Sequence, residues 1–121
     1  MSRIIKPNFE FKDERGILRE LTRGSWEQLN EYERKKGSIA GNHFHKLLKE
    51  FFYVVKGSVL VKLKNVDSGR VEEFTAKAGD AFVVYPFESH SLKFNEDTTF
   101  ITLLSRTFDS SNPDVYEHKL M

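Results

Sequence analysis

The chain has 121 residues, of which 39% are hydrophobic and 31% charged, with a formal net charge of +1. This length fits one domain spanning residues 1–121, and the near-neutral charge gives no indication of a nucleic-acid or anionic-membrane partner. The absence of cysteine excludes disulfides and thiolate ligands, and because no apolar leader or run of about 20 apolar residues is present, we expect a cytoplasmic protein.

Short strands are predicted along most of the chain. Residues 9–12 and 17–22 flank a turn and should form a hairpin. Residues 25–36 could form an exposed helix by propensity, but we favour a strand there because the neighbouring segments are strands. The remaining predicted strands are residues 51–56, 59–64, 70–75, 81–85, 90–94 and 98–104. Many short strands separated by glycine turns predict an all-β sandwich or barrel.

The two ends of the chain, and two strands that are apolar on both faces, indicate how the outside of the barrel is covered. Residues 1–25 are predicted to form N-terminal strands, and residues 106–121 a tail that packs on the barrel or on a dimer partner. Strands 51–56 and 81–85 are apolar on both faces, whereas a small barrel has only one interior. Another sheet or another subunit must cover the second face, so we predict a homodimer.

Four residues have the spacing of a metal site. His43 and His45 lie two apart, which places both on one face of a strand, and Glu50 follows after a short turn at residues 46–49. His90 is the further nitrogen ligand. Three imidazoles and one carboxylate suit Zn²⁺, Fe²⁺, Mn²⁺ or Ni²⁺. Four unrelated polar residues are the alternative, which the spacing disfavours.

These residues fall in two motifs that resemble those of the cupin superfamily. The pattern G-x5-H-x-H-x4-E-x6-G, from Gly37 to Gly57, resembles the first cupin motif. Residues 79–80, 86–90 and 95 resemble the second. Phe87 stands where the second motif usually has glycine, so the turn there could differ. The resemblance implies a single jelly-roll-like cupin barrel of short antiparallel strands.

A narrower resemblance extends over nearly the whole chain. Residues 11–16 resemble the entry segment of dTDP-4-dehydrorhamnose 3,5-epimerase-like enzymes. Residues 41–45 and 108–116 resemble the C-terminal zinc cupin domain of capsular-polysaccharide reductase/epimerases. That domain binds zinc through the motif residues, which correspond here to His43, His45, Glu50 and His90, and acts on a UDP-linked deoxy-amino sugar. The similar dTDP-sugar 3,4-ketoisomerases use the two nearby histidines as acid and base without metal.

The chemistry that the resemblance implies is removal of a proton beside a ketone. It needs a base, an acid and a group that stabilises the enolate oxygen, which a metal can supply. His45 is the candidate base, and Tyr53 and Tyr85 are candidate acids because they lie on predicted barrel strands. Packing is the alternative role for each tyrosine. The sequence does not place Tyr32 or Tyr116.

A nucleotide-sugar substrate also requires cations near its diphosphate. Arg15, Arg23 and Lys46 are the candidate substrate-binding residues, with Arg19 a further one, because guanidinium and ammonium groups bind phosphate. A solvated surface charge is the alternative for each of them. Trp26 or Phe44 could stack on a base, although core packing is the simpler role. His118 is expected to be an exposed histidine in the polar tail.

Three functions remain open at this point. The first is a zinc-type epimerase or isomerase of a nucleotide-linked 4-keto-deoxy sugar for surface polysaccharide. The second is an Fe²⁺ dioxygenase, since three histidines and one glutamate also suit iron. The third is a sugar-binding cupin without turnover, because one fold supports many functions.

Overall fold

The computed structural model describes residues 3–121, and the regular structure among them is entirely β. The strands are β1 (Phe9–Asp13), β2 (Gly16–Glu20), β3 (Gln28–Arg34), β4 (Ile39–Phe44), β5 (Glu50–Lys56), β6 (Ser58–Asn65), β7 (Val71–Lys77), β8 (Ala81–Val84), β9 (Glu88–Phe94), β10 (Thr98–Leu104) and β11 (Tyr116–Glu117). Within residues 3–121 there is no helix long and apolar enough to cross a membrane.

Two antiparallel sheets enclose the main core. One has the strand order β3-β10-β5-β8, the other has the order β11-β4-β9-β6-β7, and β1 and β2 form a separate hairpin. Period-two alternation turns one face of each sheet inward. The predicted all-β, jelly-roll-like cupin fold is therefore confirmed. The buried core residues between the sheets are Phe52, Val54, Val59, Val61, Leu63, Ala76, Phe82, Val84, Leu92, Phe94 and Phe100.

The segment that could have been a helix is strand β3, as favoured from the sequence. It pairs with β10 along its whole length, from Gln28 opposite Leu104 to Arg34 opposite Thr98. Burial alternates along β3, so that residues 28, 30, 32 and 34 are half-buried and the residues between them are exposed. A helix with only two apolar residues on one face would bury less apolar surface.

The outer face of β5 and β8 is covered by the chain's own N-terminal segment. Phe51 and Val83 lie in a second cluster with Ile5, Leu21 and Trp26. A second apolar face thus exists as predicted, although part of its cover comes from within the chain. The homodimer stays a prediction. The hairpin leaves its largest apolar side chains partly in solvent: Phe9, Phe11, Ile17 and Leu18.

Arg3 holds the N-terminal segment in place through half-buried ion pairs. Its Nη2 atom lies 2.8 Å from Glu72 Oε1 and 2.6 Å from Glu88 Oε2, and its Nη1 donates to the carbonyl of Val83 at 3.1 Å. These contacts join the segment to β7, β8 and the start of β9. The paired guanidinium thus holds the segment over the outer cluster.

The tail adds an edge strand to the sheet that carries the histidine motif. Strand β11 pairs with β4, Tyr116 opposite Phe44 and Glu117 opposite His43. Asn42 extends this contact, because its Oδ1 accepts the backbone N–H groups of Leu120 and Met121 at 2.8 and 3.1 Å. The tail therefore runs along the edge of the candidate site.

Candidate metal and proton-transfer site

Three histidines meet at the inner face of the second sheet. One nitrogen from each of His43, His45 and His90 lies within 4.8 Å of the other two. Ring centroids of His43 and His90 are 4.6 Å apart, and those of His45 and His90 are 5.3 Å apart. His90 and His45 are buried, whereas His43 is half-buried. The structure thus brings together the three histidines that the sequence singled out.

A β-bulge at Asn42 aligns the histidines. Strand β4 pairs with β9 in one register up to Gly41 opposite Ser91, then shifts so that His43 lies opposite His90. Asn42 occupies the shift with a φ of 60°, a left-handed conformation that asparagine tolerates better than most residues. Directly opposed residues point to the same face, so the bulge turns His43 toward His90.

Gly41 permits β4 to approach β9 closely beside the bulge. A Cβ atom added at Gly41, where φ is 85°, would lie 2.6 Å from the carbonyl oxygen of His90. That separation is too short for any side chain, so glycine is required. The second-motif turn keeps a glycine-like backbone too: Phe87 has a φ of 68° and donates its N–H to the carbonyl of His45 at 2.7 Å.

Glu50 lies beside this group but not within it. Its Oε1 is 3.5 Å from Nε2 of His45, and both side chains are buried. This distance exceeds that of a good hydrogen bond, and Nε2 of His45 is accordingly a buried nitrogen without a hydrogen-bond partner. A buried polar atom left in this way fits a site for a metal ion or a transferred proton.

The electrostatics keep two of the imidazoles neutral. Burial, reinforced by His43 and His45, lowers the pKa of His90 to about 3. Burial and the nearby His45 also lower the pKa of His43. For His45 burial acts in the same direction, but the Glu50 carboxylate and the backbone carbonyl of Asp114 raise its pKa overall. Neutral imidazoles are the form that binds a metal.

The lowered pKa of His90 predicts acid-sensitive folding of the metal-free protein. The unfolded chain takes up the proton near pH 6.5, whereas the folded chain does so near pH 3. Stability is therefore fully present above pH 6.5 and falls as the pH drops. We expect the free energy of unfolding to fall by about 2 kcal/mol from pH 6.5 to 5, measured by urea denaturation after chelation.

The control for this prediction is His90→Gln, which removes the titrating group. This variant should flatten the pH dependence of the free energy of unfolding between about pH 6.5 and 5, a range in which carboxylates of the unfolded chain hardly titrate. The lowered pKa of His43 acts on stability in the same direction as that of His90, and the raised pKa of His45 acts in the opposite direction. A residual dependence of stability on pH therefore remains. An unchanged slope in His90→Gln would show that another group carries the effect.

Two adjoining cavities open beside the histidines. One, of about 310 Å³, and another, of about 130 Å³, share the side chains of Tyr32, His43 and Glu50 in their walls. Among the described residues that line them, Glu50 is the one carboxylate, Tyr32 the one hydroxyl and Arg34 the one permanent cation. The cavity walls thus carry each type of group that proton transfer on an anionic substrate requires.

The structure does not bring Tyr53 and Tyr85 to this site. Glu50 and Phe52 of β5 face the inner side of the sheet, so Tyr53 points outward, into the cluster around Phe51. Tyr85 follows β8 and is 50% exposed. Neither lines the two cavities. Tyr53 thus has the packing role that was its alternative, whereas Tyr85 is exposed at the end of β8.

The predicted phosphate-binding cations also lie outside the cavity walls. Arg15 pairs with Asp13 at 2.7 Å on the hairpin turn, and Arg23 pairs with Glu20 at 2.9 Å. Both side chains are more than three-quarters exposed. Lys46 extends over the ring of Tyr116, 4.2 Å from its centroid.

Three further residues have packing roles. Trp26 lies 6.2 Å from Phe51 in the outer cluster, and Phe44 stacks on Tyr116. His118 is half-buried, with its Nδ1 buried and without a partner, so the expectation that it is exposed was wrong. The tail folds back onto Phe44, which explains this difference.

Several residues in or beside the site were not predicted from the sequence. Gln28, Asn30, Tyr32 and Arg34 project from one face of β3 into the cavities. The signal was present, because reading this segment as a strand places every second residue on the same face. Asp114 gave no local signal, since its partners are 66 to 69 residues away in the sequence.

The jelly-roll-like sandwich with a histidine cluster on its inner face agrees with the cupin fold predicted from the sequence. The family model described as polysaccharide biosynthesis C-terminal domain matches residues 11–116, and the chain belongs to this family. No curated protein matches the chain.

Solved structures share the fold at low sequence identity. CapF from Staphylococcus aureus is 23% identical, with a TM-score of 0.71, over 93% of this chain and 34% of that one. The chain therefore spans about a third of the CapF chain. The dTDP-4-dehydrorhamnose 3,5-epimerase from Sulfolobus tokodaii is 21% identical, with a TM-score of 0.76, over 89% and 72%. The sugar 3,4-ketoisomerase QdtA from Thermoanaerobacterium thermosaccharolyticum is 18% identical, with a TM-score of 0.76, over 95% and 86%.

Proposed function

We propose that the chain is a metal-dependent epimerase or isomerase of a nucleotide-linked 4-keto-deoxy sugar in surface polysaccharide biosynthesis. The observation that carries the proposal is a cavity wall that combines three histidines, one buried carboxylate and one tyrosine hydroxyl. Membership of the polysaccharide biosynthesis family supports the pathway. The similar epimerase and ketoisomerase structures support the reaction class.

The donor set fits a divalent ion. His43, His45 and His90 would hold it, and the buried, unpartnered Nε2 of His45 would then gain a partner. Three imidazoles suit Zn²⁺, which we favour, while Fe²⁺, Mn²⁺ and Ni²⁺ bind similar sets. When bound, such an ion supplies positive charge that stabilises the oxygen of an enolate.

Glu50 and Tyr32 are the proposed base and acid. A His45 nitrogen that holds a metal cannot also accept a proton, so the buried carboxylate of Glu50 takes the role of base. Tyr32 accepts a hydrogen bond from Asn30 at 3.3 Å, which leaves its own proton free to donate. Across β10, Glu50 is level with Gln28, so Tyr32 lies four residues further along β3, and both side chains reach the walls of the same two cavities.

Arg34 is the proposed contact for the diphosphate. Its guanidinium lies over the ring of Tyr32, 5.1 Å from the centroid, in the wall of the smaller cavity. A planar guanidinium held against an aromatic ring is well placed to bind phosphate oxygens in pairs. With its diphosphate bound at Arg34, the substrate would have its nucleotide directed away from the histidines and its keto sugar directed toward them.

The test is proton exchange on a keto sugar nucleotide in deuterated water. We expect the zinc-loaded protein to introduce deuterium at C3 or C5 of a dTDP- or UDP-linked 4-keto-6-deoxy sugar, followed by NMR. Elemental analysis should find about one zinc per chain, and chelation should abolish the exchange.

Other outcomes would favour the remaining functions. Tight binding of the sugar nucleotide without any deuterium entering would indicate a binding module. Exchange that survives complete removal of metal would indicate acid–base chemistry by the histidines alone. Oxygen uptake after addition of Fe²⁺ and a diketone or thiol substrate would instead indicate a dioxygenase.

A further inference from the structure

Asp114 connects the tail to the candidate site through two separate contacts. Its carboxylate accepts the backbone N–H groups of Lys46, Leu47 and Leu48 at 2.8, 2.8 and 3.0 Å. Its backbone carbonyl lies 2.6 Å from Nδ1 of His45. One tail residue therefore holds both an imidazole of the site and the turn that follows it.

The carbonyl contact fixes which nitrogen of His45 carries the proton. A carbonyl oxygen can only accept a hydrogen bond, so Nδ1 of His45 must be the donor. In the neutral ring Nε2 then has the free lone pair, and this is the nitrogen that lies among His43, His90 and Glu50. The opposite tautomer would leave the backbone carbonyl of Asp114 without the His45 donor and turn a hydrogen toward the metal position.

The carboxylate contact holds the connection between two site residues. Residues 46–49 join His45 to Glu50, and three of their N–H groups point at the Asp114 carboxylate. These charge-assisted bonds hold the turn in one conformation. Further contacts fix the tail itself, since β11 pairs with β4 and Lys46 lies over the ring of Tyr116.

We propose that Asp114 is a positioning residue that holds His45 in the Nδ1–H tautomer and so presents Nε2 to the metal. The metal part of this inference rests on the proposed function, whereas the tautomer does not. Partners of metal-binding histidines commonly change metal affinity by about 10- to 100-fold when they are removed.

The test compares Asp114→Ala with Asp109→Ala. Asp109 is a matched control, because its carboxylate accepts from the backbone N–H and the hydroxyl of Ser111, and its backbone carbonyl accepts from the N–H of Asn112. Long-range ¹⁵N–¹H NMR on metal-free, ¹⁵N-histidine-labelled protein reports the tautomer of His45. Competition with a chelator reports the zinc dissociation constant, and circular dichroism reports the fold.

We expect Nδ1–H at His45 in the unmodified protein and in Asp109→Ala. Alanine at position 114 keeps the backbone carbonyl but loses the three carboxylate contacts that hold this carbonyl against His45, so we expect a shift toward Nε2–H in Asp114→Ala. Zinc should bind about 10- to 100-fold more weakly to Asp114→Ala and unchanged to the control. If Asp114→Ala does not fold, Asp114→Asn, which keeps a side-chain acceptor, should fold with a smaller loss of affinity. A folded Asp114 variant with unchanged tautomer and zinc affinity would overturn the proposal.

The two proposals fail in different ways. If the unmodified protein binds no zinc, the metal-dependent function fails, while the tautomer of His45 in the metal-free protein still tests the role of Asp114. If zinc binds and deuterium exchange occurs but His45 carries its proton on Nε2, the role of Asp114 fails alone.

Discussion

Glu50→Gln is expected to lower the rate of deuterium exchange into the keto sugar by about 10²- to 10⁴-fold, the range that general-base catalysis contributes. Glutamine keeps the size of the side chain but cannot accept the proton. Because the three histidines form a group without Glu50, zinc should remain bound at about one ion per chain. Exchange rates by NMR and zinc content by elemental analysis are measured on the same sample.

Glu31→Gln is the matched control for this experiment. Glu31 is an exposed residue of β3 that points away from the cavities, so the same chemical change there should leave exchange within about twofold. Tyr32→Phe should lower the exchange rate too, while its ring still stacks on Phe100 at 4.7 Å. Full exchange activity in zinc-loaded Glu50→Gln would remove Glu50 from the role of base.

Gly57→Ala is expected to destabilise the fold by about 3 kcal/mol or more, which is a large share of the roughly 5–15 kcal/mol that stabilises a typical protein. Gly57 has a φ of 103°, and an added Cβ would lie 2.6 Å from the carbonyl oxygen of Asp97 and 2.7 Å from Cα of Thr98. Backbone atoms must therefore move. Urea denaturation monitored by circular dichroism measures the loss.

Gly69→Ala separates the two sources of this destabilisation. Gly69 also has a positive φ, 78°, but an added Cβ would meet nothing within 4 Å. This variant carries only the conformational strain, about 1 kcal/mol. Equal losses in the two variants would show that the close approach of Gly57 to β10 has no energetic consequence.

The strands could be predicted because alternation and glycine turns are local signals. The inner and outer faces of a strand are harder to assign when both are apolar, which is why Tyr53 was placed at the site. Glu50 could have resolved this case. If a carboxylate ligand or base points inward, Phe52 and Val54 on the same strand do so too, and Tyr53 points out.

The cluster of three histidines and Glu50 could be predicted because the two motifs have a fixed spacing, whereas the other cavity residues depend on long-range placement. Tyr32 and Arg34 reach the cavities only because β3 pairs at the edge of the sheet beside β10. Asp114 meets the turn after His45 only because the tail folds back along β4. No local periodicity encodes either event.

The β-bulge at Asn42 makes the candidate site depend on how one backbone residue pairs. If Asn42 continued the register of residues 39–41, Asn42 would lie opposite His90 and His43 opposite Ser89, whose hydroxyl faces the tail on the other side of the sheet. Regular pairing at Asn42 would thus turn His43 out of the site without any change of sequence. Deleting Asn42 would instead leave His43 directly after Gly41 and opposite His90, so a one-residue gap here in an alignment of related chains marks the loss of the bulge and not the loss of the histidine pair.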